Sequence, residues 1–180
     1  MYPSTLAGQT GKERKMEGNS REWRELSLFE DRIKISIPKD FDRPKEEVVE
    51  QKFPYDSRPR EIYGDEKVSR LMTFELSDQE LSEGEVRAAA FAVQKLIGHM
   101  YPESVEKQAA EAETPAGKAG WFYYVTGGIK GEQGHILFVL AVDGRMLLGG
   151  FHFPAETERI EEALFLSMLE RMEKPGEDMS

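Results

Sequence analysis

The sequence contains no cysteine, and this absence removes several kinds of chemistry. Without thiols the chain cannot form disulfides, thiolate zinc sites or iron–sulfur clusters, and it cannot use a cysteine nucleophile. Long apolar runs are missing as well, since no window reaches the roughly 18 apolar residues that a membrane-spanning helix requires. Residues 1–20 lack the apolar stretch of a signal peptide, so we expect a cytoplasmic location. Whether translation starts at Met1 or at Met16 stays open.

Positive charge is also scarce, because 24 Lys and Arg residues face 34 Asp and Glu residues and leave a net charge of -10. Phosphate backbones and anionic membrane surfaces bind clustered Lys and Arg side chains. The charge balance therefore argues against a nucleic-acid partner and against binding to a membrane surface, and the missing apolar window argues against membrane insertion. Apolar residues make up 39% of the chain, which is enough to build a core.

The chain divides into three parts by composition. Residues 1–20 are rich in Gly, Ser, Thr, Lys and Glu and carry few large apolar side chains, which predicts a disordered tail. Residues 21–174 are predicted to form a single domain, because a chain of 180 residues suits one core. Residues 175–180 are predicted to be a frayed C-terminus.

Alternating apolar and polar residues predict strands in the first half of the domain. Ile33, Ile35 and Ile37 follow a polar turn at Glu30-Asp31, which predicts a hairpin whose first strand starts at Trp23. The same reasoning predicts further elements, namely a short helix within residues 44–53 and strands at 61–63 and 68–76.

Two longer helices are predicted. Ser82 and Glu85 form a capping box, and apolar residues recur at helical spacing behind it until Pro102 ends the run. Residues 103–119 are interpreted as a charged connection. A last helix is predicted over residues 156–172, with its glutamates on a solvated face. Its apolar side is predicted to comprise Ile160, Ala163, Leu164, Met168 and Met172.

The second half contains three apolar strands, at residues 120–125, 135–142 and 145–153. Asp143-Gly144 is typical of a two-residue hairpin turn. Because residues 136–142 are apolar on both faces, this strand is predicted to be central and covered on both sides. The fold class is therefore α+β, with an antiparallel sheet flanked by two main helices in a layered α/β/α sandwich.

Recognised catalytic patterns are missing, so we assign no catalytic, cofactor-binding or metal-ligating residue. No serine sits in a GxSxG setting, and the glycine-rich residues 127–134 match no phosphate-binding fingerprint and join two strands. Two of the three histidines, His135 and His152, are expected to lie near each other on the last hairpin. They form either a paired site or, as the favoured interpretation, ordinary hydrogen-bonded strand residues.

One loop combines cations with aromatic residues, and it is the candidate partner-binding surface. It comprises Tyr55, Arg58, Arg60 and Tyr63. Guanidinium groups pair with carboxylates, so an acidic protein segment is the natural ligand. In the alternative interpretation the two arginines pair with neighbours in the loop: Asp56, Glu61 and Asp65.

Two segments resemble the PsbP-like α/β/α sandwich superfamily. Residues 33–41 are similar to its opening strand, which ends in Pro and an aromatic residue, and residues 138–169 look like its terminal hairpin and helix. The resemblance implies the sandwich fold and carries over no catalytic residue. Superfamily members include a photosystem subunit, a Ran-binding import factor, DcrB-like bacterial proteins and chaperones of secreted toxins, and most bind other proteins.

The leading hypothesis is therefore a non-enzymatic bacterial protein-binding module that needs no cofactor: an adaptor, a secretion chaperone or a toxin-immunity-like protein. The alternative is a small-ligand-binding protein or an unrecognised enzyme with a pocket near the last hairpin. A third hypothesis is a homodimer that pairs through an open sheet edge or through residues 121–124.

Overall fold

A computed structural model of the chain describes residues 22–54, 58–129 and 131–175. The predicted tail at 1–20, and the C-terminal stretch 175–180 apart from Pro175, lie outside the described residues. No described helix has the length and hydropathy needed to cross a membrane. The strands are β1 (Trp23–Leu28), β2 (Ile33–Pro38), β3 (Glu61–Gly64), β4 (Leu71–Glu80), β5 (Val105–Thr114), β6 (Gly117–Thr126), β7 (Gln133–Val142) and β8 (Arg145–Pro154). The helices are α1 (Glu46–Lys52), α2 (Val86–Met100) and α3 (Glu158–Leu169), and short 3₁₀ turns at Glu83–Glu85 and Ala155–Thr157 precede α2 and α3.

Six strands form one antiparallel sheet in the order β3-β4-β8-β7-β6-β5. The strands from β5 to β8 are joined by successive hairpins, and the β3–β4 hairpin attaches to β8 through β4. β1 and β2 pair with each other as a separate two-stranded hairpin. The prediction of an α+β fold built on an antiparallel sheet is confirmed.

Both faces of the sheet are covered, each by different elements. On one face the β1–β2 hairpin and α3 close the main core, where Ile33 and Ile35 are fully buried with Phe165 of α3. On the opposite face, here called the α2 face, α2 packs on β6 and β7. α1 packs on the same face through Val49, which contacts Ile62 and Leu71. The layers follow from the alternation of side chains along each strand.

Local sequence signals explain several of these elements. Asp143 and Gly144 have φ angles of 53° and 74°, the two positive values that the predicted hairpin turn requires. The Ser82–Glu85 capping box is present and starts the 3₁₀ turn that leads into α2. Leu140 is 0% exposed within β7, a strand with neighbours on both sides, so its predicted central position is confirmed.

One expectation about secondary structure and one about the buried face of a helix are wrong. Residues 105–114, interpreted as part of a connection, form the edge strand β5. The charged and small side chains of β5 lie largely in solvent, so no apolar alternation marks it.

In α3, Ile160 is 61% exposed and Ala163 is exposed, whereas Glu161 is only 4% exposed. Because an ion pair with Arg70 neutralises Glu161, the buried face of α3 runs along Glu161, Leu164, Phe165 and Met168.

Candidate binding groove

A groove lies on the α2 face of the sheet, at the end that α2 does not cover. Its volume is about 590 Å³, and α1 contributes to one wall while the residue that follows α2 contributes to the other. Its lining includes Phe53, Leu71, Tyr101, Tyr124, His135 and His152.

The groove is open because only the first half of α2 packs closely on the sheet. Val86 and Ala90 are 0% and 8% exposed. Gly120 lies beneath them, and a Cβ at this glycine would come within 2.9 Å of the Ala90 Cβ. Further along the helix, Leu96 and Met100 are 56% and 57% exposed. The glycine therefore brings the start of α2 close to the sheet, and the end of the helix leaves the strands beyond it uncovered.

Two histidines lie at the base of the groove. His135 and His152 are direct cross-strand partners, and their Nδ1 atoms are 2.9 Å apart. The Nε2 atom of His135 is 2.8 Å from the Thr126 hydroxyl oxygen, and its ring stacks on Tyr124 with centroids 4.7 Å apart. In the Nδ1–Nδ1 hydrogen bond one ring donates and the other accepts, so each neutral ring keeps one tautomer. The expected proximity of this histidine pair (His135 and His152) is confirmed.

Burial keeps both imidazoles neutral at ordinary pH. It lowers the pKa of His135 to about 4. Burial, followed by the charges of His135 and Lys52, lowers the pKa of His152 to about 3. Burial also raises the pKa of the Tyr124 hydroxyl above its usual value. The base of the groove therefore offers neutral hydrogen-bonding groups rather than charges.

A glycine makes room for this arrangement. A Cβ at Gly150 would lie 2.9 Å from the His152 Nε2 atom and 3.0 Å from both a methyl carbon of Leu137 and the Thr73 hydroxyl oxygen. Any larger residue at this position would displace the imidazole ring. The sequence offers a weak signal for this close packing, namely a glycine two residues before a histidine within an apolar strand.

The structure places Arg58 of the predicted surface beside α1 and joins Arg60 to β4. Arg58 Nη1 lies 2.9 Å from Glu46 Oε2 at the start of α1, so its ion pair differs from the three predicted within the loop. The side chain of Arg60 is exposed, and its backbone N–H donates to Glu75 Oε1 at 2.6 Å. Tyr55 lies outside the described residues. Arg58 and Arg60 therefore remain candidate contact residues.

Tyr63 has a different environment from the two arginines. It is 2% exposed, and its hydroxyl donates to Glu61 Oε1 at 2.7 Å and accepts from Arg43 Nη2 at 3.0 Å. Burial and the hydrogen bond to Glu61 raise the pKa of Tyr63 to about 12. This side chain supports β3 from within and offers little surface to a partner.

The described lining residues determine which chemical groups the groove presents. Within the described ranges, no three His, Cys, Asp or Glu side chains converge as a metal site would require. No Asp or Glu is among the described residues that line the groove, so the imidazoles have no carboxylate partner there. Imidazole general bases usually depend on such an orienting group. The groove instead presents aromatic rings, hydroxyl groups, two imidazoles and the ammonium group of Lys52.

Comparisons with known proteins support the fold. No protein-family model matches the sequence, and no curated protein is significantly similar to it. Among solved structures, cyanobacterial PsbP (CyanoP) from Synechocystis sp. PCC 6803 matches with a TM-score of 0.61 at 10% identity, over 86% of this chain and 93% of that chain. The chain has a PsbP-like fold. LpqN, involved in cell envelope biogenesis of Mycobacterium tuberculosis, matches with a TM-score of 0.47 at 11% identity, over 87% of this chain and 94% of that chain.

At such low identities the likeness establishes the fold and leaves the activity open. The predicted PsbP-like fold is thus confirmed. The narrower resemblance to DcrB-like proteins and secretion chaperones stays a prediction.

Proposed function

We propose that the chain is a non-enzymatic binding module that receives a segment of another polypeptide on the α2 face. The observation that carries this proposal is the distribution of exposed apolar side chains. Five of the seven large apolar residues that are exposed in the described ranges lie between Phe91 and Val105. Four of them follow one another along the chain from the end of α2 to the start of β5 and are called the α2 patch, namely Leu96, Met100, Tyr101 and Val105. Clustered apolar exposure of this kind marks interaction surfaces.

The α2 patch continues into the groove, because Tyr101 belongs to both. A polypeptide suits this combination, since its side chains can cover the apolar rim while a polar group reaches the imidazoles or the Thr126 hydroxyl. Tyr101 and Tyr124 supply the aromatic anchors that are typical of such contacts. The absence of a carboxylate beside the imidazoles, among the described lining residues, favours binding over acid–base catalysis.

Charge narrows the chemistry of the partner. This chain carries a net charge of -10, so long-range attraction favours a partner of net positive charge. Adaptor, secretion-chaperone and toxin-immunity roles in the cytoplasm all fit this description. The Arg58–Arg60 loop follows the groove residue Phe53 in the chain, and we propose it as an outer contact for acidic positions of the same partner.

Site-specific photo-crosslinking tests the proposal with a matched control. A photoreactive amino acid replaces Met100 in one variant and Ile160 in another, because these residues are 57% and 61% exposed but lie on helices that cover opposite faces. In the native host, position 100 is expected to capture a defined polypeptide that position 160 does not capture. Met100→Ser should then weaken binding of the identified partner, and Ile160→Ser should not.

Two outcomes would contradict the proposal. One is an identical set of crosslinked products from both positions. The other is the absence of products combined with a small molecule that strongly raises the melting temperature in a thermal-shift screen. The double variant Arg58→Ala/Arg60→Ala tests the loop separately. Unchanged affinity for the partner would show that the loop makes no contact with it, while the groove would remain the proposed binding site.

A small-ligand-binding protein is the second candidate. The specific observation in its favour is the groove volume of about 590 Å³, which falls within the usual range for ligand pockets. The same thermal-shift screen distinguishes this candidate from the first.

A further inference from the structure

We propose that the partner polypeptide ends in the groove, with its C-terminal carboxylate bound by the Lys52 ammonium group and by the Nε2 hydrogen of His152. This inference rests on the proposed function, because it names the part of the polypeptide that occupies the groove. Three features carry it: a row of residues that is closed at one end, a single cation in the described lining, and a chain of hydrogen bonds that leads to His152.

The floor of the groove contains a row of four residues that crosses the sheet. Tyr124, His135, His152 and Leu71 are successive cross-strand partners on β6, β7, β8 and β4, and all four line the groove. Neighbouring strands lie about 4.8 Å apart, so the row is about 14 Å long. An extended chain rises about 3.3 Å per residue, so roughly four residues of a partner cover the row.

The two ends of this row differ. Near the first end lies Tyr101 of the α2 patch, and burial together with this neighbour raises the pKa of Tyr124. At the other end Leu71 packs against Val49 of α1, and Phe53, the residue that follows α1, packs against the same cluster. The row is therefore open toward the α2 patch and closed by α1. A polypeptide that enters over the patch meets α1 after roughly four residues, which favours a chain end over a segment that continues.

The closed end carries a positive charge. Lys52, the last residue of α1, is the only Lys, Arg, Asp or Glu among the described lining residues. None of the ion pairs between described residues involves Lys52. Burial, followed by the charges of His135 and Lys52, lowers the pKa of His152, so the ammonium group lies close enough to act on this ring. One cation beside apolar walls suits one monoanionic group, and a carboxylate is the group that an unmodified polypeptide carries at its end.

A chain of hydrogen bonds leads from Thr126 to the same end. The Thr126 hydroxyl oxygen is 2.8 Å from His135 Nε2, and the two Nδ1 atoms are 2.9 Å apart. When Thr126 donates to His135 Nε2, His135 donates its Nδ1 hydrogen to His152 Nδ1, and His152 carries its own hydrogen on Nε2. Among the described residues, only the bond at Nδ1 involves the His152 side chain. A carboxylate that accepts the Nε2 hydrogen selects this direction of the chain, in which each hydrogen bond strengthens the next.

Affinity selection on the full-length protein near pH 7 tests the proposal. The probe is a pool of acetylated hexapeptides of random sequence, which is synthesised once with free C-terminal carboxylates and once with C-terminal amides. Bound peptides are identified by mass spectrometry, and the most enriched acid is resynthesised in both forms. We expect calorimetry to show that the acid binds at least tenfold more tightly than the amide of the same sequence.

Two variants and a matched control locate the carboxylate. Lys52→Gln removes the charge from an exposed position and should weaken binding of the selected acid about tenfold, with little change for the amide. The control is Lys95→Gln, because Lys95 is also an exposed lysine but lies on α2 outside the groove lining, and it should change the affinity less than twofold. Thr126→Val removes the hydroxyl that orients the two imidazoles and should reduce the preference for acid over amide. Circular dichroism verifies that each variant is folded.

Three results would overturn the proposal. The first is a selection in which acids are not enriched over amides, including one in which neither form is enriched. The second is a loss of affinity in Lys52→Gln no larger than the loss in Lys95→Gln. The third is tighter binding of octanoate than of the selected acid, which would assign the groove to a small carboxylic acid. If photo-crosslinking at position 100 captures a polypeptide while any of these results is found, the proposed function stands and only the placement of the chain end fails.

Discussion

The ion pair between Arg70 and Glu161 provides the sharpest test of how this fold is held together. Arg70 Nε and Nη2 donate to Glu161 Oε1 at 3.1 and 2.9 Å, and the Thr157 hydroxyl donates to Oε2 at 3.1 Å. The side chains of Arg70 and Glu161 are 19% and 5% exposed. The guanidinium also lies over the Phe41 ring, 5.3 Å from its centroid. The pair joins the start of β4 to α3.

Replacing Arg70 with Met is expected to cost roughly 3–5 kcal/mol, because it leaves the Glu161 carboxylate buried with a single hydroxyl donor. The control is Arg58→Met, since the Arg58–Glu46 pair has the same 2.9 Å separation but side chains that are 30% and 70% exposed. Exposed pairs of this kind contribute about 0–1 kcal/mol. The two ion pairs have equal separations but unequal burial, so Arg70→Met should lower the free energy of unfolding clearly more than Arg58→Met does.

Urea denaturation with linear extrapolation measures both variants on the same scale. A third variant, Arg70→Met/Glu161→Met, removes both charges and should recover most of the loss, because an apolar pair avoids an unpaired buried carboxylate. The reasoning would be refuted if Arg70→Met and Arg58→Met differed by less than about 0.5 kcal/mol, the usual spread for surface substitutions.

Three further predictions concern the sheet. Leu140→Ala should lower the free energy of unfolding by roughly 2–5 kcal/mol, because the residue is 0% exposed in a central strand, and a loss below about 0.5 kcal/mol in urea would contradict this. Gly149→Ala should destabilise by about 1–3 kcal/mol, since its Cβ would lie 2.1 Å from a ring carbon of Phe138, and Gly127→Ala, with no atom nearby, serves as the control in the same assay. The histidine pair titrates near pH 4 and 3 in the folded state, below the unfolded value of about 6.5, so stability should be full above pH 6.5 and fall as the pH drops. At pH 5 each ring accounts for about 2 kcal/mol of loss, and a variant with glutamine at both positions should show a smaller drop between pH 7 and pH 5 than the wild type.

Much of the fold could be predicted from the sequence where local chemistry decides the structure. The capping box at Ser82, the turn at Asp143-Gly144 and the apolar alternation around Ile35 each depend on neighbouring residues, and each is confirmed. β5 could not be predicted, because an edge strand needs no apolar face and its residues are mostly charged or small.

The buried face of α3 could not be predicted for a different reason. Glu161 was expected on the solvated side, and its burial depends on Arg70, which lies far away in the sequence. Successive residues of a helix lie about 100° apart around its axis, so placing Glu161 in solvent rotates the predicted buried face toward Ile160. Ile160 is therefore predicted in the core, but it lies in solvent.

The candidate site was only partly accessible to sequence reasoning. The proximity of the histidine pair followed from the hairpin register, which the turn determines. The groove beside it did not follow, because it depends on how closely α2 approaches the sheet at Gly120. Tyr63 was placed on the candidate surface because of its proximity to two arginines in the sequence, but side-chain alternation in β3 directs it inward.

The strand order has a consequence for how the chain folds. The strands β5 to β8 form consecutive hairpins, whose contacts close short loops, whereas β4 and β8 pair residues that lie far apart in the sequence, such as Leu71 with His152. Contacts between distant residues carry a larger loop-closure entropy and tend to form late. We therefore expect a nucleus in β6 and β7 onto which the β3–β4 hairpin docks afterwards. Destabilising substitutions in β7 should then slow refolding, while those in β3 should mainly accelerate unfolding.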